Sequence, residues 1–233
     1  MSENQENINQ VESANEPSSL RLIMALGIAG LISGFILVGT YIYTDPLIKA
    51  NKAAATQRAI FNVLPNCSSS VPLKLEDGKL SEQDNTSGQE ETNKDVLLIY
   101  AGYNSSNELV GFAIPGAEPG FQDIIGAIFG YDGAKKVIIG FEVLESKETP
   151  GLGDKIFKDA EFKTNFTSLV VDPEIIPVKK GEKQNDNEVE AITGATISSK
   201  AVVKLLNNTL DIWQEAIDNY IQENNLTISK KDE

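Results

Sequence analysis

The chain contains no histidine and only one cysteine, Cys67, in 233 residues. Without histidine, Ser-His-Asp and Cys-His catalysis, histidine-ligated metals and haem attachment are all excluded. A lone cysteine can form neither an intramolecular disulfide nor a cysteine cluster. Cys67 follows Pro65-Asn66 in a loop-like stretch and reads as incidental. Positive charge is scarce as well: 20 Lys+Arg stand against 34 Asp+Glu, a formal net charge of −14. Binding nucleic acid needs a basic face, so that partner class is excluded. Residues 1–19 hold no basic residue, only Glu3, Glu6, Glu12 and Glu16 among the charges. Few apolar groups and repelling like charges predict a disordered tail there.

What the chain does have is one long apolar run. Residues 22–43 carry no charge, and about twenty such residues at ~1.5 Å rise each span a bilayer. A transmembrane helix is therefore predicted over residues 20–43. Gly27, Gly30, Ser33, Gly34 and Gly39 suit close contact with neighbouring membrane helices. Tyr41 and Tyr43 sit where an aromatic belt belongs. A cleavable signal peptide fits poorly, because the preceding region is acidic, the run is long and no small-x-small site closes it. Arg21 precedes the run, while Lys49, Lys52 and Arg58 follow it. A bare charge count would put the C-terminal side in the cytoplasm.

Residues 44–66 predict a linker helix, with Pro46 in its first turn, Ile60, Phe61, Val63 and Leu64 as docking residues, and Pro65 ending it. Residues 67–95 predict a loop carrying an acidic, Ser/Asn/Gln-rich insertion over 76–95. The folded domain is expected over 96–224, with a polar tail over 225–233. Residues 96–101 and 109–114 read as strands joined through Asn104-Ser105-Ser106-Asn107. Residues 124–131 and 136–144 form a second pair around Asp132-Gly133. The expected fold class is α+β: a curved antiparallel sheet with packed helices, preceded by one transmembrane helix.

The last long helix announces itself from Val202, with Leu205, Leu206, Trp213, Ala216, Ile217 and Tyr220 on one face. Thr193, Thr196, Ser198 and Ser199 then fall at or just before its N-terminus, where such residues cap free backbone N–H groups. Gly194 permits a tight turn there, and the helix start itself suits a phosphate. Upstream, residues 145–156 read Glu-Ser-Lys-Glu-Thr-Pro-Gly-Leu-Gly-Asp-Lys-Ile. As physics alone this is a punctuated loop in which Glu148 and Asp154 are solvated. Phe157 and Phe162 follow at helical spacing and read as core.

Two short sequences carry a resemblance. Thr193-Gly194-Ala195-Thr196 followed by Ser198-Ser199, with Glu190 three positions ahead, resembles the covalent flavin-attachment motif of the FMN-binding domain family. That family includes the G subunit of the Rnf electron-transport complex and the C subunit of the sodium-pumping NADH:quinone reductase. Glu148-Thr149-Pro150-Gly151-Leu152-Gly153, after Gly130-Tyr131-Asp132-Gly133, is similar to the Rnf branch. The resemblance covers roughly residues 20–220. It departs from the family at Glu190, where Asp is usual.

The resemblance implies an FMN-carrying subunit of a complex that couples ferredoxin and NAD to ion translocation. It implies FMN held covalently through a phosphoester to Thr196, installed by a separate flavin transferase, with Thr193, Gly194 and Ala195 completing the motif. Glu148, Thr149, Gly151, Leu152 and Gly153 are implied to lie against the isoalloxazine ring. No catalytic residues and no metal site are implied. Partners would be the other integral-membrane and redox subunits, the transferase and the membrane. The domain would lie outside the cytoplasm, on a single-pass anchor in the inner membrane, against the charge count. The alternatives are the corresponding sodium-pumping subunit and a flavin-free anchored binding domain.

Overall fold

The computed structural model describes residues 18–83 and 98–228. Residues 1–17 of the tail predicted over 1–19, most of the acidic insertion and residues 229–233 lie outside the described residues. The chain divides into two compact units, residues 1–52 and 53–233.

Helix α1 (Ser19–Val63) contains the apolar run, with a mean hydropathy of 2.4 over its best 18-residue window. Its residues 20–43 are almost all exposed, as a helix whose face is meant for lipid must be. The expected break after residue 43 is absent: α1 runs through Pro46 as one helix. Pro46 removes one backbone donor, and the good helix formers that follow it, Leu47, Lys49, Ala50 and Lys52 to Ala55, carry the helix past the gap. Thr40 and Thr44 donate their hydroxyls back to the Ile36 and Thr40 carbonyls at 2.8 and 2.9 Å, so neither hydroxyl faces lipid unpaired.

The second unit is an antiparallel sheet with helices on both faces. Its strands are β1 (Ser69–Glu76), β2 (Lys79–Glu82), β3 (Leu98–Tyr103), β4 (Leu109–Pro119), β5 (Ile124–Asp132), β6 (Val137–Glu145) and β7 (Leu169–Val170), in spatial order β2-β1-β3-β4-β5-β6-β7. Helices α2 (Lys155–Lys158) and α3 (Ala160–Thr164) lie between β6 and β7. Strands β8 (Ile176–Lys179) and β9 (Glu188–Ala191) form a parallel pair that leads into α4 (Thr196–Glu223).

Side-chain alternation along β4 and β5 decides which helix packs where. Phe112, Ile114, Ile125, Ala127, Phe129 and Tyr131 point to the main core with the Val202, Leu205, Leu206, Leu210, Trp213 and Ile217 stripe of α4. Burying each valine, leucine, isoleucine or phenylalanine among these contributes roughly 1.5–3 kcal/mol. Ala113 and Ile128 point the other way, into a smaller cluster with Ala59, Ile60, Val63 and Leu64 from the end of α1. That docking is what Ile60, Val63 and Leu64 predict; Phe61 remains exposed.

The predicted strands are present, each within a few residues of expectation. Three readings change. The loop expected over 67–95 is, in its described part, the β1–β2 hairpin, with Glu76 paired to Lys79 across Asp77-Gly78. Both turn residues have positive φ, 50° and 76°, so this is the Asp-Gly signal of a two-residue hairpin, masked in the sequence by the surrounding charge. The Asp132-Gly133 turn is longer than such a hairpin: Lys136 takes the positive φ of 54°, and the Asp132 carboxylate accepts from the Ala134 and Lys135 N–H groups. Finally, the described part of the expected polar tail is not free. Ile228 is buried and bridges Leu109 in parallel.

Candidate functional site

Three segments meet at the start of α4: the turn over residues 120–123 between β4 and β5, the loop over 148–154 after β6, and residues 193–199. The link between them is Glu148, which is only 5% exposed. Its Oε2 accepts from Ser198 Oγ at 2.5 Å and its Oε1 from the Gln122 N–H at 2.9 Å. Thr149 Oγ1 adds a second tie to Gln122 Oε1 at 3.1 Å. Asp154 holds the loop itself, accepting from the Gly151 N–H at 2.7 Å and from Lys158 Nζ at 2.6 Å. Glu148 and Asp154 are therefore buried and bonded, and the solvated reading of both is corrected. Asp154 satisfies the Gly151 N–H within the loop, and Glu148 satisfies an N–H of the neighbouring turn.

The helix start is also built differently from the expected cap. Ala195 occupies the N-cap position and no side chain caps the helix. Ser198 is engaged with Glu148. Ser199 Oγ donates to the Ala195 carbonyl and accepts from the Ile192 N–H, each at 3.0 Å. Thr193 and Thr196 are exposed. The hydroxyls that could have capped the helix are thus either turned into the core or left at the surface. The first backbone N–H groups of α4 keep their capacity to bind an anion.

Gly194 has φ +85°, a conformation that a side chain would strain. A Cβ there would lie 3.7 Å from Leu152 Cδ2, so the two motifs, distant in sequence, are neighbours in space. Leu152 and Ile197 are 50% and 56% exposed, and Phe121 in the adjoining turn is 65% exposed. Single exposed apolar residues are ordinary. These belong to segments joined through one carboxylate, beside an exposed threonine. Gly151 has φ +80° and open space around it. At Gly153 a Cβ would fall 2.5 Å from Glu148 Oε2 and 2.9 Å from Ser198 Oγ, so this glycine is needed for the clamp. On its other side Thr193 borders a cavity of about 200 Å³ shared with Lys155, Asn165, Lys180 and Glu190. Glu190 accepts there from the Gly181 N–H at 2.9 Å.

Sequence reasoning missed Gln122 and Phe121 as parts of this site, and it took Ser198 for a helix cap rather than for the partner of Glu148. Ser198 and Glu148 are 50 residues apart, and no local pattern links them. Phe157 and Phe162 lie as expected, Phe162 buried and Phe157 half-buried against the core.

The electrostatics have a pH consequence. Burial alone would raise the Glu148 pKa. The Ser198 hydroxyl and the N–H groups of Gln122, Phe121 and Asp123 outweigh it and hold the carboxyl below the usual range. The Lys158 ammonium beside Asp154, helped by the Gly151 N–H against burial, does the same there. Both folded-state values lie under the unfolded ones, so their contribution to stability is complete above about pH 4.3 for Glu and about 3.9 for Asp. It is lost as pH falls through the depressed values. Denaturant midpoints of the full chain should accordingly fall between about pH 4.5 and 3. Glu148→Gln should flatten that fall while lowering the midpoint at neutral pH; an equally steep acid limb in the variant would contradict the assignment.

Residues 120–211 match the FMN-binding domain family. The chain is 29% identical over 191 residues to the G subunit of the ion-translocating oxidoreductase complex of Methanosarcina acetivorans, covering 82% of this chain and 92% of that protein. It is 30% identical over 179 residues to the G subunit of the proton-translocating ferredoxin:NAD(+) oxidoreductase complex of Clostridium ljungdahlii, covering 77% and 83%. Among solved structures it resembles Shewanella oneidensis NqrC with a TM-score of 0.57 at 17% identity, over 75% of this chain and 98% of that one. The C subunit of the Na(+)-translocating NADH-quinone reductase of Parabacteroides distasonis gives a TM-score of 0.57 at 19% identity, over 73% and 95%. At these identities the two structures speak to the fold, which they share with this chain. The chain belongs to the G-subunit family of ion-translocating oxidoreductase complexes, and its residues 120–211 match the FMN-binding domain.

Proposed function

We propose that this chain is the FMN-carrying electron-transfer subunit of an Rnf-type ferredoxin:NAD oxidoreductase complex, with the flavin esterified through its phosphate to Thr196. The observation that carries this reading is the exposed Thr196 hydroxyl at the first residue of an uncapped helix, beside the exposed Leu152 and Ile197. The residues fit the group. The phosphate would meet the N–H groups at the start of α4, and the flat apolar ring would find Leu152, with Thr149, Gly151 and Gly153 along the loop. FMN supplies the electron transfer when bound; the chain anchors it, orients it and sets the charge around it. Glu148 would act from beneath, through Ser198 and the loop, because its oxygens are already engaged.

In the attachment step the bond formed joins Thr196 Oγ1 to the flavin phosphorus. With an activated flavin nucleotide as donor, the bond broken is the one to its leaving phosphate, and the threonine proton departs with a base of the transferase. The adduct is FMN less one water. Identities of 27–38% with G subunits, against 17–19% with the C-subunit structures, favour the Rnf reading over the sodium-pumping quinone reductase. A full chain made with a flavin transferase should show visible flavin absorbance after denaturation and washing. A colourless denatured chain would leave the flavin-free binding domain standing.

We further propose that the domain lies outside the cytoplasm on its single anchor, in contact with the complex's other membrane and redox subunits. A reporter active only outside the cytoplasm, fused after Glu233, should be active. Activity of a cytoplasmic reporter alone would restore the orientation that the flanking lysines and arginines favour.

A further inference from the structure

Glu148 holds a charge that has no obvious reason to be buried. No lysine or arginine among the described residues pairs with it: Lys147 is bonded to Asp123 at 2.6 Å, and Lys158 to Asp154 at 2.6 Å. Its neutralisation comes instead from a hydroxyl, from the N–H groups of the 120–123 turn and from the first turn of α4, in which Ser198 sits. Two glycines make room for it. A Cβ at Gly120 would fall 2.5 Å from Oε1, and one at Gly153 would fall 2.5 Å from Oε2. A buried carboxylate is costly unless fully hydrogen-bonded, and a purely packing role could be filled by an apolar side chain.

We propose that Glu148 is the positioning residue of the flavin site, a carboxylate that clamps the 149–153 loop and the 120–123 turn onto the first turn of α4 and sets a fixed negative charge beside the Thr196 attachment point. It rests on the reading of Thr196 as flavin carrier. Two separable consequences follow from the two parts. The clamp holds Leu152 and Phe121 at a set distance from Thr196, so the ring has a rigid bed. The charge opposes the addition of electrons to a group held beside it, and so lowers that group's potential. The short arm of Asp keeps the charge but cannot span Ser198 and Gln122 together. Gln keeps the span but loses the charge. Ser198→Ala keeps the charge and loses one tie.

The experiment uses the full chain in detergent, made with and without a flavin transferase, as wild type, Glu148→Gln, Glu148→Asp and Ser198→Ala. In the flavin-loaded chains, Glu148→Gln should raise the midpoint potential. Glu148→Asp and Ser198→Ala should leave it near the wild-type value while lowering flavin fluorescence anisotropy, because the ring's bed loosens. In the chains made without transferase, amide hydrogen exchange over 149–153 and the first turn of α4 should quicken about ten- to a hundredfold in Ser198→Ala, the loss expected for one hydrogen bond to a charged group. An unchanged potential in Glu148→Gln overturns the proposal, as does an equal rise in Ser198→Ala, which would make the effect one of shape. Unchanged exchange in the unloaded Ser198→Ala chain overturns the clamp whether or not flavin binds. If the wild-type chain made with transferase carries no flavin while exchange is still quickened in Ser198→Ala, the clamp stands and Thr196 loses its role.

Discussion

Thr196→Ala should leave a folded chain that holds no flavin after denaturation. The loss should be complete, because the phosphoester has one acceptor atom and alanine lacks it. Folding should be almost unaffected. Thr196 is exposed, it caps nothing, and the N-cap at Ala195 is already without a side-chain hydrogen bond. Alanine is also a good residue for the first turn of a helix. The comparison with Thr193→Ala sharpens the prediction. Thr193 is exposed too, but it lies before the turn at Gly194, outside the helix, and its loss should reduce loading without abolishing it. Fluorescence of the denatured chain in a gel, with a melt of each variant beside it, separates the cases. A flavin band that persists in Thr196→Ala would sink the assignment, and a band lost equally in both variants would mean that the motif is read as a whole and does not single out Thr196.

The second large effect should fall on stability, far from the motif. Gly130 on β5 and Gly140 on β6 are paired directly opposite one another. A Cβ at Gly130 would lie 2.1 Å from the Val63 carbonyl oxygen, and one at Gly140 would lie 2.5 Å from it. The two glycines form a notch into which the last turn of α1 settles, with Val63 and Leu64 buried behind it. The clash at either position is with backbone, so no rotamer change can relieve it. Overpacking a core typically costs 1–3 kcal/mol and occasionally more; about 3 kcal/mol or above is expected for Gly130→Val, since the end of α1 must lift and expose its cluster. Gly126, on the same strand, is the control: the nearest atom to its Cβ position is 3.7 Å away, and Gly126→Ala should stay within about 0.5 kcal/mol. Equal denaturation midpoints for the Gly130 and Gly126 variants would show that the end of α1 does not rest on the sheet.

The parts of this molecule that the sequence reveals are those written in short-range patterns. The apolar run, the α4 stripe from Val202, and the paired strands around Asp132-Gly133 depend on residues a few positions apart, and all are found where they were expected. The two short motifs were legible for the same reason. What was hidden depends on contacts between distant residues or on competing local signals. The charges around Asp77-Gly78 suggested a solvated loop, although Val71, Leu73 and Leu75 alternate toward the core before the turn. Pro46 suggested a helix boundary, and the helix formers that follow it, from Leu47 to Ala55, overrode that. The serines before Val202 suggested caps. Burial of Ser198 and Ser199 redirected their hydroxyls to Glu148 and to the Ala195 carbonyl. Gly130 and Gly140 look like ordinary weak strand positions until Val63 is placed above them.

The central claim is that flavin is bound covalently, at one atom of one residue. Proteolysis of the wild-type chain made with a flavin transferase, followed by mass measurement of the fragment spanning 193–199, tests it most directly. That fragment should be heavier than its sequence by FMN less one water, and fragmentation should place the increment on Thr196. An unmodified fragment with all flavin released on denaturation, or an increment on Thr193, Ser198 or Ser199, would contradict it.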